Sequence, residues 1–267
     1  MTFKKFVKKI FPKKLLPFIG NIYTLSRRCV NFIYYSIFYK GDDVKCIFCN
    51  KTFSKFMPAG NKFNVLVEKK IIGGGYRLNA RCPYCLSLDR ERLVYLFLKE
   101  KKLIQNNMKL LHIAPEYSLE KKITNEPIDY YTADLNSPMV RIKMDIQNID
   151  FESNFFDGII CNHVLEHVDD YKKAMSELFR VLKTNGWAIL QVPISPVLNE
   201  TFEDFSIVKP KDREKIFGQY DHVRIFGTDY VKHLNSVGFQ VSKITLDKLL
   251  IQNNALNPDE VVYFSKK

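Results

Sequence analysis

From residue 108 onward, short apolar β-rich runs alternate with amphipathic stretches. The segments 108–114 (MKLLHIA), 128–135 (IDYYTADL), 140–146 (VRIKMDI) and 154–164 (NFFDGIICNHV) read as buried strands bounded by turn residues. The segments 186–194 (GWAILQVPI), 239–246 (FQVSKITL) and 260–266 (EVVYFSK) continue the series to seven. Helical patterns fall between them at 117–124 (YSLEKKIT), 169–186 (DDYKKAMSELFRVLKTNG) and 227–238 (GTDYVKHLNSVG). In the second of these, Ala174, Leu178, Val181 and Leu182 share a face, Asp169 or Asp170 can cap the start, and Gly186 offers a stop. Strands alternating with helices predict a doubly wound, mostly parallel α/β sheet of seven strands. Ligands of such sheets bind at the carboxyl ends of the strands, near the point where strand order reverses.

Upstream the pattern changes. Two C-x2-C knuckles, Cys46/Cys49 and Cys82/Cys85, bracket the stretch FNVLVEKKIIGGGYRL, which reads as a β-hairpin turning near Gly73–Gly75. Each knuckle offers two thiolates to one tetrahedral ion, and two knuckles complete a four-thiolate zinc site with no open position for water. Disulfides are the alternative, disfavoured in a reducing compartment, and no export signal is apparent. The expected organisation is a basic arm at 1–40, a four-cysteine zinc-ribbon-like module with a linking helix at 41–100, and the sheet domain at 101–267.

Charge is distributed unevenly. The net charge is +12, but residues 1–40 hold nine Lys/Arg and no acid, leaving +3 for the remaining 227 residues. In the arm, basic pairs alternate with Phe, Ile, Val and Leu, and Pro12 and Pro17 break it into pieces too short to span a bilayer. Three placements fit: a peripheral contact with the anionic inner face of a membrane, a helical arm packed on the body, or, with less to support it, an RNA-binding tail. A cytoplasmic location is expected in each case.

The strand ends carry the chemistry. The first ends in His112-Ile113-Ala114-Pro115-Glu116, the second in Asp134, the third in Asp145 and the fourth in Cys161-Asn162-His163. Asp134 lies 22 residues after His112, close to the spacing at which an acid meets ribose hydroxyls in nucleoside-binding βαβ units. A second acid one strand further can accept from an adenine amino group. The fourth strand runs into HVLEHV, which also matches H-x-x-E-H, a zinc-peptidase pattern. That pattern needs both histidines on one regular helix. Here a strand enters His163 and the next helix is capped only at Asp169 or Asp170, so no zinc is expected and Glu166 and His167 are assigned a structural role.

With these residues in view, the chain resembles the class I S-adenosylmethionine-dependent methyltransferases over roughly residues 108–266. The resemblance rests on an acid after strand 3, an aromatic-Asp before strand 4, the LEH turn, a helix, and LK-x-x-G before strand 5. The cysteine module followed by CPYCLSLDRERLVYLFL, with TFEDFSI and FGQYDHVRIFG, is similar to a bacterial subset of these enzymes often associated with cell-surface polysaccharide synthesis. The family's usual first turn is glycine-rich; here Ala114 and Pro115 stand in it, and small Ala114 still permits backbone approach. The resemblance implies a Rossmann-like fold and S-adenosylmethionine as cofactor. It implies cofactor contacts at Ala114, Pro115, Glu116, Asp134, Asp145, Ile146, Asn162 and His163.

For a catalytic base, His163 and the QYDHVR segment are the candidates, with Asp221 orienting or replacing His222 and Arg224 holding an anionic acceptor. The alternative for 220–224 is a loop packed on the sheet. His112 and His233 are expected to pack or face solvent, and Glu203 and Asp204 to border the acceptor. The acceptor implied is a small molecule or glycan. An RNA methyltransferase is the competing reading, and the modest charge of the body and the lack of an Asn/Asp-Pro-Pro-aromatic signature argue against nucleic acid. A third reading is a non-catalytic scaffold.

Overall fold

The computed structural model describes residues 37–267. The expected basic arm, and the membrane contact assigned to it, lie almost wholly outside the described residues. Strand β1 (Val44–Lys45) pairs antiparallel with β2 (Thr52–Phe53), and the turn between them carries Cys46 and Cys49. Strand β3 (Met57–Ala59) pairs antiparallel with β4 (Arg77–Arg81), which leads directly into Cys82 and Cys85.

The hairpin expected over FNVLVEKKIIGGGYRL does not form. Its first half is the helix α1 (Asn64–Glu68). The alternating Phe63, Val65 and Val67 resembled a strand, but Val65 is buried whereas Val67 is 75% exposed, so no sheet face exists for both. The glycines make a loop instead, with left-handed φ at Gly73 and Gly75. Backbone approaches so closely there that a side chain at Gly60 would run into the Gly75 carbonyl.

Helix α2 (Asp89–Glu100) follows the second knuckle, and its Glu91 carboxylate accepts the Leu88 N–H at the helix start (3.1 Å). Its apolar face, including Leu93, Val94 and Phe97, packs with Leu110, Ile160, Ile189 and Val262 of the sheet. The link between module and sheet is therefore also a layer of the sheet domain. At its first turn Asp89, 2% exposed, receives the Arg77 guanidinium from β4 through two bonds, Nε to Oδ2 at 2.7 Å and Nη2 to Oδ1 at 2.8 Å. Burial pushes the Asp89 carboxyl up, but Arg77 outweighs it and holds it below the usual carboxylate range. The pair thus stabilises at neutral pH and loses its effect as pH falls through that depressed value. Arg77→Ala, which leaves a buried carboxylate alone, is expected to cost about 3–5 kcal/mol in urea unfolding, and the apolar double variant Arg77→Met/Asp89→Leu markedly less. Equal losses in the two would refute the pairing argument.

The sheet is built from β5 (Lys109–Ile113), β6 (Asp129–Asp134), β7 (Ile142–Lys143), β8 (Phe156–Asn162), β9 (Leu182–Gln191), β12 (Gln240–Ile244) and β13 (Val262–Lys266), in the order β12-β13-β9-β8-β5-β6-β7. Neighbours from β9 to β7 run parallel, while β13 is antiparallel to both β9 and β12. The seven-stranded, mostly parallel expectation therefore holds, and strand order reverses between β5 and β8. Helices α4 (Tyr171–Val181) and α6 (Tyr230–Ser236) cover one face. Helices α2 and α3 (Tyr117–Ile123) cover the other.

Of the two candidate caps, Asp170 accepts the Lys173 N–H (2.9 Å) at the start of α4. This helix stops at Val181, five residues before the glycine assigned to that role. Leu182 already pairs with Phe156, so β9 begins there and Asn185, at φ 65°, takes the left-handed turn next to Gly186. Strand β7 pairs over only two residues of the expected 140–146, as an edge strand with a single neighbour.

Between β9 and β12 lies an insert in which β10 (Phe202–Glu203) pairs with β11 (Arg224–Ile225) and α5 (Pro210–Phe217) reaches back to the cysteine module. Val65 of α1, Phe217 and Ile225 bury one another, with Phe63 and Leu66 packed around them. Gly218 caps α5 at φ 83°, and a side chain there would strike Leu66. The last helix, α7 (Lys248–Asn253), precedes β13. No helix among the described residues is long and apolar enough to cross a membrane.

Candidate active site

The two strands flanking the order reversal both end in left-handed non-glycine residues, Ala114 at φ 47° after β5 and His163 at φ 54° after β8. Each conformation costs on the order of 1–3 kcal/mol and persists only where surrounding structure enforces it. Together they turn the chain sharply at the carboxyl ends of the two strands. On the next strand, Asp134 Oδ1 accepts the N–H groups of Asn136 (2.7 Å) and Ser137 (2.6 Å), which fixes the carboxylate at the rim. Its Oδ2 has no hydrogen-bond partner among the described residues. Leu135 and Met139 beside it are 59% and 84% exposed, an apolar rim without a cover.

Other strand-end residues are committed differently. Glu116 Oε2 lies 3.1 Å from Nε2 of the fully buried His112, whose Nδ1 lies 2.8 Å from the Tyr130 hydroxyl. Burial pushes the Glu116 carboxyl up and His112 outweighs it, keeping it low. Asp145 Oδ1 accepts both the backbone N–H (2.9 Å) and the side-chain amide (3.2 Å) of Gln147. Gln147 in turn accepts the Asp170 N–H at the α4 cap (2.9 Å). Ile146 is buried in the core beneath.

At the end of β8 the polar groups are unusually bare. Both side-chain polar atoms of Asn162, both ring nitrogens of His163 and Oε2 of Glu166 are buried without a hydrogen-bond partner. Such groups are rare in a folded interior and point to a ligand. His163 Nδ1 stands 3.5 Å from Glu166 Oε1. Burial, helped by Arg90, lowers the His163 pKa, so its imidazole is neutral. Burial likewise lowers His222 to about 4. The Glu166 carboxyl is pushed up by burial but held down, to about 2, by the imidazoles of His163, His167 and His222. His167 Nδ1 faces Asp221 Oδ2 at 3.5 Å, and the His167 and His222 rings meet edge to face at 4.7 Å. Asp221 therefore orients His167, not His222.

His163, Glu166, His167 and His222 line a cavity of 280 Å³. Its opposite wall is the cysteine module: Ala59, Gly60, Gly75, Arg77 and Arg81, with Arg90 of α2. Arg90 Nε is buried and unpartnered. None of these module residues sits in a site motif; the arginines between and after the knuckles are the one signal in the sequence. Arg224 also lines the cavity, but its guanidinium is not free for an anionic acceptor. It is 1% exposed and donates to Glu203 Oε2 (3.0 Å) and to the carbonyls of Leu165 (2.7 Å), Val168 and Asp169 (2.8 Å), bracing the turn after β8. Within 220–224, Arg224 is therefore committed to packing, whereas His222 lines the cavity and Asp221 faces His167. Asp204 is bonded only to Ser206, away from the cavity.

The four cysteines converge. Cys46 Sγ lies 3.5 Å from Cys85 Sγ and Cys49 Sγ lies 3.8 Å from Cys82 Sγ, and all four sulfurs fall within 4.8 Å of one another. A tetrahedral ion with arms of about 2.3 Å holds thiolates about 3.8 Å apart, a spacing these two contacts already match. The Ser87 hydroxyl, 3.2 Å from Cys85 Sγ, is placed to donate to a thiolate.

Comparison with known proteins matches residues 116–190 to the family model of a methyltransferase domain. A protein of Methanocaldococcus jannaschii, itself uncharacterized, is 35% identical over 113 residues, covering 41% of this chain and 49% of that protein. The match thus spans about half the length of that curated relative. Similar solved structures include the [4+2]-cyclase SpnF, at 11% identity over 69% of this chain and 83% of that one with a TM-score of 0.49. An S-adenosylmethionine-dependent methyltransferase from Archaeoglobus fulgidus is 14% identical over 66% and 94%, with a TM-score of 0.45. Another from Mesorhizobium loti is 10% identical over 63% and 96%, with a TM-score of 0.44.

Proposed function

We propose that the protein is an S-adenosylmethionine-dependent methyltransferase whose small-molecule or glycan acceptor enters the cavity between the sheet and the cysteine module. One observation carries this reading: Asp134, with an open carboxylate oxygen, and the unpartnered Asn162 and His163 stand at the carboxyl ends of β6 and β8, the two neighbours of β5 beside the order reversal, within a segment matching a methyltransferase domain. The cofactor, when bound, supplies an activated methyl group on a built-in leaving group. Asp134 Oδ2 accepts from the ribose, Asp145 and Ile146 border the adenine, and the bent backbone at Ala114, Pro115 and Glu116 lies along the methionine end. Asn162 and His163 face the reacting centre from β8.

His163 is assigned the proton of a hydroxyl or amine acceptor. Its neutral imidazole can take one, and buried Glu166, 3.5 Å away, stabilises the imidazolium that results. Asp221 acts through His167, and His222 closes the wall. A cavity of 280 Å³ suits a small acceptor or one unit of a longer glycan. The four cysteines are assigned a structural zinc, and residues 1–40 a peripheral contact at the inner face of a membrane.

Calorimetry of the full chain with S-adenosylhomocysteine tests the core of this reading. Binding is expected, and Asp134→Ala should weaken it by about 1–3 kcal/mol, the worth of hydrogen bonds to a charged group. No heat at millimolar ligand would favour a scaffold without cofactor. Unchanged affinity in Asp134→Ala would remove the ribose assignment.

A further inference from the structure

We infer that Glu166, His167 and His222 form a second metal site, for a divalent transition-metal cation, in the wall of the acceptor cavity and separate from the four cysteines. The ligand atoms of the three residues lie within 4.8 Å of one another. A cation about 2.0–2.2 Å from each would draw them to about 3.0–3.4 Å apart, a change that side-chain rotation supplies.

Three independent features point the same way. Glu166 is 2% exposed, and its Oε2 has no partner. The Arg224 guanidinium, which lines the same cavity, is committed to carbonyls and Glu203. Oε1 faces the His163 and His167 rings, and the bare Oε2 leaves a buried acceptor that a cation would satisfy. Second, His167 turns Nδ1 toward Asp221 (3.5 Å) and Nε2 toward Glu166 (4.0 Å), while the Gln219 amide donates to Asp221 Oδ1 (3.0 Å). A carboxylate behind one ring nitrogen is the usual arrangement that orients a histidine ligand. Third, all three residues line the cavity, so a cation held there keeps open positions facing its interior. Two imidazoles and one carboxylate suit zinc, iron, cobalt or manganese rather than magnesium or calcium. An acceptor oxygen can fill an open position, which favours hydroxyl-bearing acceptors.

This is not the site that H-x-x-E-H spells on a helix. His163 stands outside it, Glu166 is a ligand instead of a base, and His222 arrives from the insert, where the Val223 N–H bonds the Glu166 carbonyl (3.1 Å).

The test uses the full chain with its cysteine site loaded with zinc, titrated with Co²⁺ and followed by visible absorption. One further equivalent of Co²⁺ should bind with ligand-field bands but without the near-ultraviolet thiolate-to-cobalt charge transfer. Glu166→Gln and His222→Asn should each weaken it at least about tenfold. Zinc content and circular dichroism check that the variants fold; partly exposed His167, replaced by Asn, serves if Glu166→Gln does not. Absence of these bands at millimolar Co²⁺, or unchanged affinity in the folded variants, would overturn the site. S-adenosylhomocysteine binding, measured on the same samples, stands or falls separately.

Discussion

Stripping metal from the full chain with a chelator is expected to release one zinc and unfold the cysteine module, with a large fall in thermal stability. The magnitude follows from how little else is inside the module. Its own apolar cluster is Phe53 and Phe56 with Cys46 and Cys82, far below what an independent unit of this size needs. Zinc held by four thiolates contributes on the order of 10 kcal/mol of binding free energy at neutral pH, and that energy is folding energy. Cys82→Ser should have the same effect without chelator, since Cys82 is fully buried. The single tryptophan, Trp187, lies in β9, so its fluorescence reports the sheet while thiolate absorbance reports the module. Loss of zinc with no change in melting temperature, or a chain isolated with paired disulfides at 46, 49, 82 and 85, would overturn the assignment.

Arg92→Met is expected to destabilise the protein by about 3–5 kcal/mol, read as a shift in urea midpoint at constant slope. Arg92 is fully buried and is not paired to any carboxylate by hydrogen bond. Instead its guanidinium donates to four carbonyls: Asn254 (3.0 Å), Ser87 (2.8 Å), Ala80 (3.1 Å) and Ala255 (3.0 Å). It also lies 4.5 Å from the Phe56 ring centroid. One side chain thereby fastens β4, the second knuckle and the segment after α7. Methionine fills much of the volume but leaves those carbonyls unpaired in the interior, at about 1–3 kcal/mol for each that finds no water. Lysine should not rescue, because an ammonium cannot reproduce the planar fork. A loss below about 1 kcal/mol would mean that water or backbone relaxation satisfies the carbonyls.

The central strands were legible because β5 and β8 are buried on both faces, so their apolar runs are continuous and bounded by turns. Helix α1 was not. It is five residues long, with one buried side chain, and is held by Phe217 and Ile225, about 150 residues downstream. The start of β9 was misread for a similar reason: Leu182 fits the apolar face of α4, and only its pairing with Phe156 decides against the helix. In the site, Asp134 and His163 could be placed at strand ends because a parallel sheet puts them there. The convergence of the cysteines followed from their spacing. The module's share of the cavity had no local signature, since Arg77, Arg81 and Arg90 reach it only through long-range docking. The grouping of Glu166 and His167 with His222 was equally hidden, because it needs the insert to fold back onto the turn after β8.

The same docking orders events in time. The module contacts Ile194 and Ser195 through Ile72 and Lys69, and Phe217 through Val65, while Arg92 waits for the carbonyls of Asn254 and Ala255, 162 and 163 residues away. On a ribosome, the module emerges early and its partners emerge late. It must remain partly unsatisfied through most of synthesis, with Val65 and the Arg92 guanidinium short of their late partners. Final assembly closes loops of more than a hundred residues, a slow step by topology. Nascent chains halted before residue 194 should therefore be held by chaperones and cleaved readily within 41–88, even though the sequences of α2 and the first sheet strands have already been made.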